Sequence, residues 1–430
     1  MPPEAHHSSR FVGVKAAFFG TEEQGIRVSR LTGRSDGTDA DFAATSPTAP
    51  AYPQLRLNSA ALENNIGIMA AWCLARGVEL APHVKTTMSA PIIERQLAAG
   101  AVGVTVATVD QVASALRWGH QHVLVANEIV DRFGLTRIRA WLEEDPAREI
   151  RCFVDSAAGV HMASEIFEGA AADLEVLIDV GTPGGRTGIR SLTEGLRLAG
   201  LVRATPGLRL VGVAGYEGVV PNSRAEDNVT AVDRHCRLVR DIYLEAANFF
   251  QTATPIYSMG GSAFPDRVVE FLPGRGQVPG TRTILRSGCY VTHDHGTYAA
   301  VSPVPGLIPA LSVRAMVLST PEDGMAVVGA GKRDLPYDAG LPSVLSVRTA
   351  EGALKPAATA EVRSLFDHHA VLTGVSGVDV TDTVDFGISH PCSAFDRWPE
   401  YVLTDAGGQD TDVWHTDFRR SSLTLGYGPS

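Results

Sequence analysis

The sequence predicts a (β/α)8 TIM-like barrel followed by a C-terminal β-rich domain, and three features of the 430 residues support that prediction. Eight short apolar runs alternate with helix-like segments over about 240 residues, the count and length typical of such a barrel. The helical patterns fade after about residue 305, where short strand-like runs are separated by glycine, proline and aspartate. The chain is also longer than a barrel alone requires.

The predicted barrel strands are the apolar runs at 78–85, 103–108, 122–127, 150–156, 174–181, 208–216, 256–260 and 284–292. Helix-like patterns lie between most of them, for example at 89–99, 111–118 and 225–250. In the C-terminal part, strands are predicted at 311–318, 326–328, 343–349, 370–372 and 401–404. A doubly wound open sheet also alternates strands with helices, and it remains the alternative for the first part.

These patterns divide the chain into three segments. The stretch 31–50 (LTGRSDGTDADFAATSPTAP) is rich in small polar residues and proline. Residues 1–50 are therefore predicted to be an N-terminal extension or linker, or an addition to the β domain. Residues 51–303 are predicted to form the barrel, and 304–430 the β-rich domain.

The composition, with 44% apolar and 20% charged residues, is that of a globular protein with a large core. A net charge of −11 argues against a nucleic-acid partner, because it indicates no basic surface overall. No apolar run reaches the length of a membrane span, and no basic-then-apolar leader opens the chain. Five widely spaced cysteines without a CxxC pair favour a reducing compartment. We therefore expect a cytoplasmic enzyme with a small-molecule substrate and no membrane partner.

The candidate reactive residue is Lys85, which ends the first predicted strand. The active site of a barrel lies at the C-terminal ends of its strands, so the amine of Lys85 is expected in the barrel mouth. Partial desolvation there favours the neutral amine, which acts as a nucleophile or forms a Schiff base. The alternative is a lysine that merely emerges into solvent at a strand end.

Loops after later strands supply candidate partners. Arg186 lies in a glycine-rich loop after the fifth strand and suits a phenolate or carboxylate, unless that loop is a simple flexible turn. Tyr216, after the sixth strand, either reaches a cofactor ring or packs as an ordinary aromatic residue. The seventh strand is followed by Gly260, Gly261 and Ser262, a sequence typical of a phosphate cradle built from backbone N–H groups and a hydroxyl.

Two segments that contain histidine are candidates for metal binding. His293, Asp294 and a second histidine follow the eighth strand, although short HxH pairs in loops are often bystanders. In the C-terminal part, His390 and Cys392 are two positions apart, so their side chains share a face in an extended segment. This pair is either half of a zinc site or a chance occurrence.

Four motifs along residues 55–405 resemble those of the D-threonine aldolase / D-serine dehydratase family of fold-type III pyridoxal-phosphate enzymes. They are LAPHVKTTM at 80–88, SGCYVTHDHG at 287–296, GKRD at 331–334 with DAGLP at 338–342, and GISHPC at 387–392 with Phe395 and Asp396. Within the family, the bacterial "amino acid deaminase" branch is the most similar. Each motif is modest, but their ordered combination is specific. Residues 1–50 do not match.

The resemblance implies an alanine-racemase-like barrel that binds pyridoxal 5′-phosphate through Lys85. It also implies a β domain whose His390 and Cys392 bind a divalent metal, with zinc expected first and manganese or magnesium as alternatives. The other cofactor-binding residues that it implies are His83, Arg186, Tyr216, Gly260, Gly261, Ser262 and Tyr290. Candidates for a substrate contact or a supporting role are Thr86, His293, Asp294 and His369.

The activity that the resemblance implies is a lyase reaction on a small β-hydroxy D-amino acid, such as D-serine or D-threonine. Dehydration (deamination) to a 2-oxo acid and ammonia is favoured, because aldolase members of the family carry aspartate where this chain has Cys392. Retro-aldol cleavage to glycine and an aldehyde is the first alternative. An amino-acid racemase and a non-catalytic carrier of pyridoxal phosphate are further alternatives. The family also implies a homodimer.

Overall fold

The computed structural model describes residues 51–218 and 220–419. The segment predicted to be an extension or linker, 1–50, lies outside these residues. Among the residues described, no helix combines the length and the apolar character needed to cross a bilayer.

The first strand, β1 (Gln54–Asn58), belongs to the C-terminal sheet, whereas the next eight strands form a parallel sheet of their own. These eight are β2 (Glu79–Leu80), β3 (Val104–Val106), β4 (His122–Glu128), β5 (Glu149–Val154), β6 (Leu174–Val180), β7 (Leu208–Gly215), β8 (Ile256–Met259) and β9 (Arg282–Leu285). They pair in the order β2-β9-β8-β7-β6-β5-β4-β3. The sheet closes where His83, just beyond β2, forms a parallel bridge to Thr105 of β3. The predicted barrel is therefore confirmed, and the open-sheet alternative is wrong.

The helices of the described residues are α1 (Ser59–Arg76), α2 (Ala90–Ala98), α3 (Val109–Arg117), α4 (Arg132–Glu144), α5 (Ala157–Phe167), α6 (Leu192–Ala204), α7 (Glu226–Glu245), α8 (Pro265–Glu270) and α9 (Thr297–Val301). Thr108, Asp131, Ser156 and Ser191 accept hydrogen bonds from backbone N–H groups in the first turns of α3, α4, α5 and α6. Because each cap follows a barrel strand or its loop, these side chains fix where the chain turns away from the barrel mouth.

The C-terminal sheet has ten strands and includes β1. The others are β10 (Leu311–Glu322), β11 (Met325–Val328), β12 (Ser343–Arg348), β13 (Leu354–Lys355), β14 (Glu361–Leu365), β15 (Ala370–Thr373), β16 (Thr383–Gly387), β17 (Glu400–Thr404) and β18 (Asp410–His415). The main order is β13-β12-β16-β10-β1-β17-β18, and β11, β15 and β14 extend from β10. The predicted β-rich part is confirmed as a sheet. The boundary at 303/304 stays a prediction, although β1 pairs with β10 and β17.

Strand β16 is buried along its whole length and leads directly into the segment that carries His390 and Cys392. Its sequence did not predict a strand, because Asp385 interrupts the apolar run. That carboxylate binds the guanidinium of Arg314 through oxygen–nitrogen distances of 2.7 and 3.0 Å. Burial alone would raise the pKa of Asp385, but the hydrogen bonds and charge of Arg314 lower it overall. The ion pair therefore keeps a charged residue inside the sheet and fixes the direction of the following segment.

Candidate active site

A cavity of about 240 Å³ lies at the C-terminal end of the barrel, where the segment that follows β16 contributes Cys392 to its lining. The predicted site residues that line it are His83, Lys85, Thr86, Arg186, Tyr216, Gly260, Gly261, Ser262 and Cys392. Residues that the sequence analysis did not select also line it, among them Asp179, Arg286, Cys289 and Tyr298. The cavity therefore combines strand ends of the barrel with a loop of the C-terminal sheet.

Lys85 is half-buried in a short 3-10 turn, Val84–Thr86, rather than at the end of a regular strand. The ladder of β2 ends at Leu80, five positions earlier than Lys85, so the predicted strand at 78–85 was too long. Hydrogen bonds from the N–H of His83 to the carbonyl of Arg286 (3.1 Å) and from the N–H of Thr105 to the carbonyl of Pro82 (2.9 Å) hold the intervening segment extended. The amine of Lys85 is thus presented to the cavity by a fixed backbone.

The surroundings of His83, which lies close to Lys85, determine the protonation of its imidazole. Its Nδ1 atom is buried and has no hydrogen-bond partner among the described residues. Burial, and then the positive charges of Lys85 and Arg286, hold the pKa of His83 well below its usual value. A neutral imidazole with a free ring nitrogen beside an amine fits the predicted pyridoxal phosphate, whose ring and substituents would satisfy that buried atom.

Arg186 and Tyr216 lie against each other, with the guanidinium carbon 4.7 Å from the centre of the tyrosine ring. Arg186 is exposed, and Tyr216 is half-buried. Burial, followed by the charge of Glu217, raises the pKa of Tyr216 above its usual value, so the phenol keeps its proton. The pair presents one positive charge and one neutral hydroxyl to the cavity.

The loop at Gly260 and Gly261 is held by Glu217, which the sequence analysis did not select. The backbone N–H groups of these glycines donate to the two carboxylate oxygens of Glu217 at 3.2 and 2.5 Å. Gly260 has φ of 108°, a conformation that favours glycine. Both N–H groups are therefore engaged by a side chain, which differs from the sequence-based interpretation that they surround a phosphate. The hydroxyl of Ser262, which accepts from the N–H of Cys289 at 3.2 Å, still faces that side of the cavity.

A close approach of two chain segments beside Ser262 also requires glycine. A Cβ atom at Gly288 would lie 2.2 Å from the carbonyl oxygen of His83. The hydroxyl of Ser287 donates to the carbonyl of Gly261 at 2.8 Å. The turn after β9 is thus packed directly on the Lys85 segment and on the glycine loop.

Two carboxyl groups lie near the far side of the cavity. Asp179 of β6 lines the cavity and accepts a hydrogen bond from the hydroxyl of Thr187 at 3.0 Å. Burial, and then the charge of Asp179, raises the pKa of Glu128 to about 8. Burial also raises the pKa of Asp179. With its pKa near 8, Glu128 retains a proton at neutral pH.

Three potential metal ligands meet at the edge of the cavity: Cys289, His390 and Cys392, whose ligand atoms all lie within 4.8 Å of one another. The two Sγ atoms are 3.1 Å apart. Nδ1 of His390 lies 2.8 Å from an oxygen of Asp338, which leaves Nε2 as the nitrogen available to a metal. Two sulfurs and one imidazole are a donor set that zinc prefers, so these residues fit the predicted metal. The sequence predicted His390 and Cys392 as metal ligands, whereas Cys289 was only part of the motif at 287–296.

The ionisation of this group follows from its short contacts. The hydrogen bond with Cys392 holds the pKa of Cys289 well below its usual value, even though burial opposes this. Burial lowers the pKa of His390, but the hydrogen bonds with Cys289 and Asp338 raise it to about 9. The hydrogen bond with Cys289 and burial raise the pKa of Cys392, so a metal would displace protons from Cys392 and His390 when it binds, whereas Cys289 is already in the thiolate form.

Apart from His390, which lies at the cavity edge in the metal-ligand group, four predicted site residues do not line the main cavity. The hydroxyl of Tyr290 accepts a hydrogen bond from Gln96 at 2.8 Å, and both Tyr290 and His293 border a separate cavity of about 10 Å³. Asp294 accepts hydrogen bonds from the N–H groups at the start of α9, including that of Tyr298. His369 is exposed in the turn between β14 and β15. Of these four, Asp294 acts closest to the cavity, because it holds Tyr298.

Comparisons with known proteins agree with this two-part site. The profile described as "Alanine racemase, N-terminal domain" matches residues 57–264, and the one described as "Putative serine dehydratase domain" matches residues 310–404. D-threonine aldolase from Arthrobacter sp. is 26% identical over 372 residues, 85% of this chain and 92% of the relative. D-threo-3-hydroxyaspartate dehydratase from Delftia sp. (strain HT23) is 29% identical over 290 residues, 65% of this chain and 71% of the relative.

A solved structure with the same fold is that of D-threonine aldolase from Filomicrobium marinum. It aligns with a TM-score of 0.73 at 24% identity and covers 85% of this chain and 94% of that one. One matched profile covers most of the barrel and the other covers the central strands of the C-terminal sheet. The resemblance inferred from the motifs is confirmed: the chain is similar to the fold-type III pyridoxal-phosphate enzymes, with an alanine-racemase-like domain in the barrel and a serine-dehydratase domain in the C-terminal sheet.

Proposed function

We propose that this protein is a lyase that depends on pyridoxal phosphate and a divalent metal and acts on a small β-hydroxy D-amino acid. The observation that carries the proposal is the juxtaposition of Lys85 with the metal-ligand group. The hydroxyl oxygen of Thr86, the residue after Lys85, lies 3.7 Å from the sulfurs of both Cys289 and Cys392. One bound substrate could therefore present its α-carbon to the lysine and its β-hydroxyl to the metal.

The cofactor side of the site is assigned to residues of the barrel. Lys85 would hold pyridoxal phosphate, which would supply an electron sink for the α-carbon of the substrate. Among the described residues, Lys85 is the one lysine that lines the cavity, so its Nζ accepts the α-proton. Neutral His83 and Tyr216 would face the cofactor without adding charge, and Arg186 would bind an anionic group. The hydroxyl of Ser262 would bind the phosphate.

The metal side is assigned to His390 and Cys392. A divalent metal at these residues supplies a Lewis acid for a hydroxyl oxygen. Asp338 orients His390 through the 2.8 Å contact with Nδ1 and leaves Nε2 for the metal. Tyr298 lines the same part of the cavity, with its ring centre 5.8 Å from that of His390. The metal and Tyr298 together would bind the substrate hydroxyl.

Dehydration to a 2-oxo acid and ammonia is the favoured outcome, and aldol cleavage is the second candidate. Cys392 supports dehydration, because the family resemblance implies aspartate at this position in the aldolase members. The Arthrobacter D-threonine aldolase matches 85% of this chain, which supports aldol cleavage as the second candidate. The cofactor side and the metal side of the site can serve either reaction. A racemase or a non-catalytic carrier of the cofactor accounts less well for a metal-ligand group beside the lysine.

The deciding experiment separates these outcomes by product. The enzyme, purified with pyridoxal phosphate and zinc, is incubated with D-serine, D-threonine and D-threo-3-hydroxyaspartate in turn. We expect release of 2-oxo acid and ammonia that a chelator abolishes and that Lys85→Ala lacks. Glycine and an aldehyde in place of a 2-oxo acid would establish the aldolase. A purified protein without bound pyridoxal phosphate would contradict the proposal as a whole.

Three further expectations stay predictions: the homodimer, the cytoplasmic location and the absence of nucleic-acid or membrane partners. The first can be tested by the mass of the purified enzyme in solution. A monomer with full activity would show that the site needs no partner.

A further inference from the structure

We propose that Cys289 is a third protein ligand of the metal, so that the site is a Cys2His centre that selects zinc over manganese and magnesium. This inference rests on the proposed function, because it concerns the metal of the same site. It goes beyond the His390 and Cys392 pair that the sequence motif predicts. It also assigns a metal preference that the motif alone leaves open.

The position of Cys289 is the first observation. Its sulfur lies 3.1 Å from that of Cys392 and within 4.8 Å of a ring nitrogen of His390. A single ion can bind all three atoms after small side-chain adjustments, because zinc–sulfur bonds are about 2.3 Å and zinc–nitrogen bonds about 2.0 Å long. Cys289 is 6% exposed and lines the cavity, so the ion would be in contact with bound substrate.

The backbone around Cys289 is the second observation. The N–H of Cys289 donates to the hydroxyl of Ser262 at 3.2 Å, and the preceding Gly288 packs on the carbonyl of His83. The backbone of the turn is therefore held on two sides, with the sulfur 3.1 Å from that of Cys392 in the C-terminal part. This rigidity is what a metal ligand requires.

The outer contacts of the group form the third observation. Asp338 accepts from Ser393 at 2.6 Å through one oxygen and lies 2.8 Å from Nδ1 of His390 through the other. A carboxylate that is itself hydrogen-bonded behind a histidine ligand is a common arrangement around zinc. The ligand group thus has the supporting shell that a functional metal site needs.

The consequence for metal choice follows from the donor atoms. Two thiolates and one imidazole are soft and intermediate ligands, which favour zinc and cobalt, whereas manganese and magnesium favour oxygen donors. Three protein ligands in a tetrahedral site leave one position open, the arrangement typical of catalytic zinc. A site with only His390 and Cys392 would have more open positions and less preference for zinc.

A disulfide between Cys289 and Cys392 is the competing interpretation. The sulfur–sulfur distance of 3.1 Å is well above the length of about 2.05 Å of a disulfide bond, and both cysteines are free in the structure. The two interpretations differ in what a purified protein contains, since a disulfide would remove both thiolates from the metal.

Cobalt substitution tests the proposal without any measurement of turnover. The holoenzyme is freed of metal under reducing conditions, loaded with Co²⁺ or Zn²⁺, and studied by the cobalt-minus-zinc difference spectrum, which cancels the absorbance of pyridoxal phosphate. We expect sulfur-to-cobalt absorbance that falls by roughly half in Cys289→Ala, since one of two thiolates is lost. Zinc affinity should fall by more than about 100-fold, above the usual effect of losing an outer partner. Cys73→Ala, which removes a buried cysteine of α1, is the matched control.

Several results would overturn the proposal. They are wild-type cobalt absorbance and affinity in Cys289→Ala, displacement of zinc by equimolar manganese, or a Cys289–Cys392 disulfide in the zinc-loaded protein. If Cys289→Ala does not fold, X-ray absorption of the wild-type zinc protein decides instead, because two sulfur ligands support the proposal and one contradicts it. A two-sulfur centre without turnover of any D-amino acid would remove the proposed function but leave the ligand assignment intact. Turnover with a one-sulfur centre would do the opposite.

Discussion

Two sides of the cavity, the barrel wall and the metal wall, are built in different ways. The barrel wall consists of cavity residues such as Lys85 and Tyr216, which follow the ends of barrel strands. The metal wall combines Cys289 after β9, Asp338 between β11 and β12, and His390 after β16. The barrel wall follows a local rule, because parallel strands end at the same edge. The residues of the metal wall become neighbours only because the C-terminal sheet packs against the barrel.

The largest expected effect separates the two walls directly. Lys85→Ala should lower the rate of product release by more than about 1,000-fold, because it removes both the attachment point of the cofactor and the proton acceptor. The visible absorbance of the lysine-bound cofactor should disappear while the zinc content remains unchanged. Absorbance and metal analysis of one sample measure both quantities. Lys332→Ala, at an exposed lysine of the C-terminal part, is the control. Retention of the visible absorbance would refute the role of Lys85.

The second effect concerns the support of the barrel wall. Glu217→Ala should lower the free energy of unfolding by about 2–4 kcal/mol, because the N–H groups of Gly260 and Gly261 lose their acceptors inside the protein. Urea denaturation measures this change. The affinity for pyridoxal phosphate should fall as well, since the glycine loop loses its fixed conformation. Glu351→Ala, in an exposed turn, should leave both quantities unchanged. Equal stability of Glu217→Ala and the wild type would mean that the loop does not depend on this carboxylate.

The third effect belongs to the metal wall. Asp338→Asn should weaken zinc binding by about 10- to 100-fold, because the outer partner that orients His390 loses its charge. The visible absorbance of the cofactor should persist, in contrast to Lys85→Ala. Competition with a chromophoric chelator measures the affinity, and Asp367→Asn, at an exposed aspartate, provides the comparison. Loss of the cofactor absorbance in Asp338→Asn would show that the two walls are not independent.

The smallest expected effect is a pH dependence on the far side of the barrel wall. Burial and the charge of Asp179 raise the pKa of Glu128 from 4.5 to about 8. Between these two pH values the folded protein still binds a proton that the unfolded chain has released. The free energy of unfolding should therefore fall as the pH rises from about 4.5 to 8. Glu128→Gln removes this dependence and should be more stable than the wild type by about 1 kcal/mol at pH 9, a value reduced for partial exposure. Parallel pH profiles of the two proteins would refute this assignment.

The sequence predicted the barrel wall well because its rule is local. A lysine after the first strand, a glycine-rich arginine loop after the fifth and Gly260-Gly261-Ser262 after the seventh all line the cavity. The same rule also predicted Tyr290 and His293 as site residues because they follow the eighth strand. Their side chains border a different small cavity. Position after a strand limits a residue to one end of the barrel, whereas the turn of the backbone decides where its side chain lies.

A pattern of predicted strands does not show the hydrogen-bond partners of Glu217 and Arg286. Both are buried charged residues at the ends of barrel strands, and each acts on groups distant in sequence. Glu217 binds the N–H groups of Gly260 and Gly261, and Arg286 donates to the hydroxyl of Ser258 and the carbonyl of Gly215, both at 2.7 Å. Their partners cannot be inferred before the barrel is closed, because such contacts depend on which strand ends meet.

The sequence by itself predicted the barrel, the C-terminal sheet and the family resemblance, and it selected Lys85 as the candidate reactive residue and one pair of candidate metal ligands. Periodicity sets strands and helices, and the order of short motifs sets the family. Only the tertiary structure decided that Cys289 joins His390 and Cys392, 101 and 103 positions later (390 − 289 and 392 − 289). The physical reason is that a metal site needs donor atoms a few ångströms apart, and packing of the barrel against the sheet, rather than spacing along the chain, sets that distance.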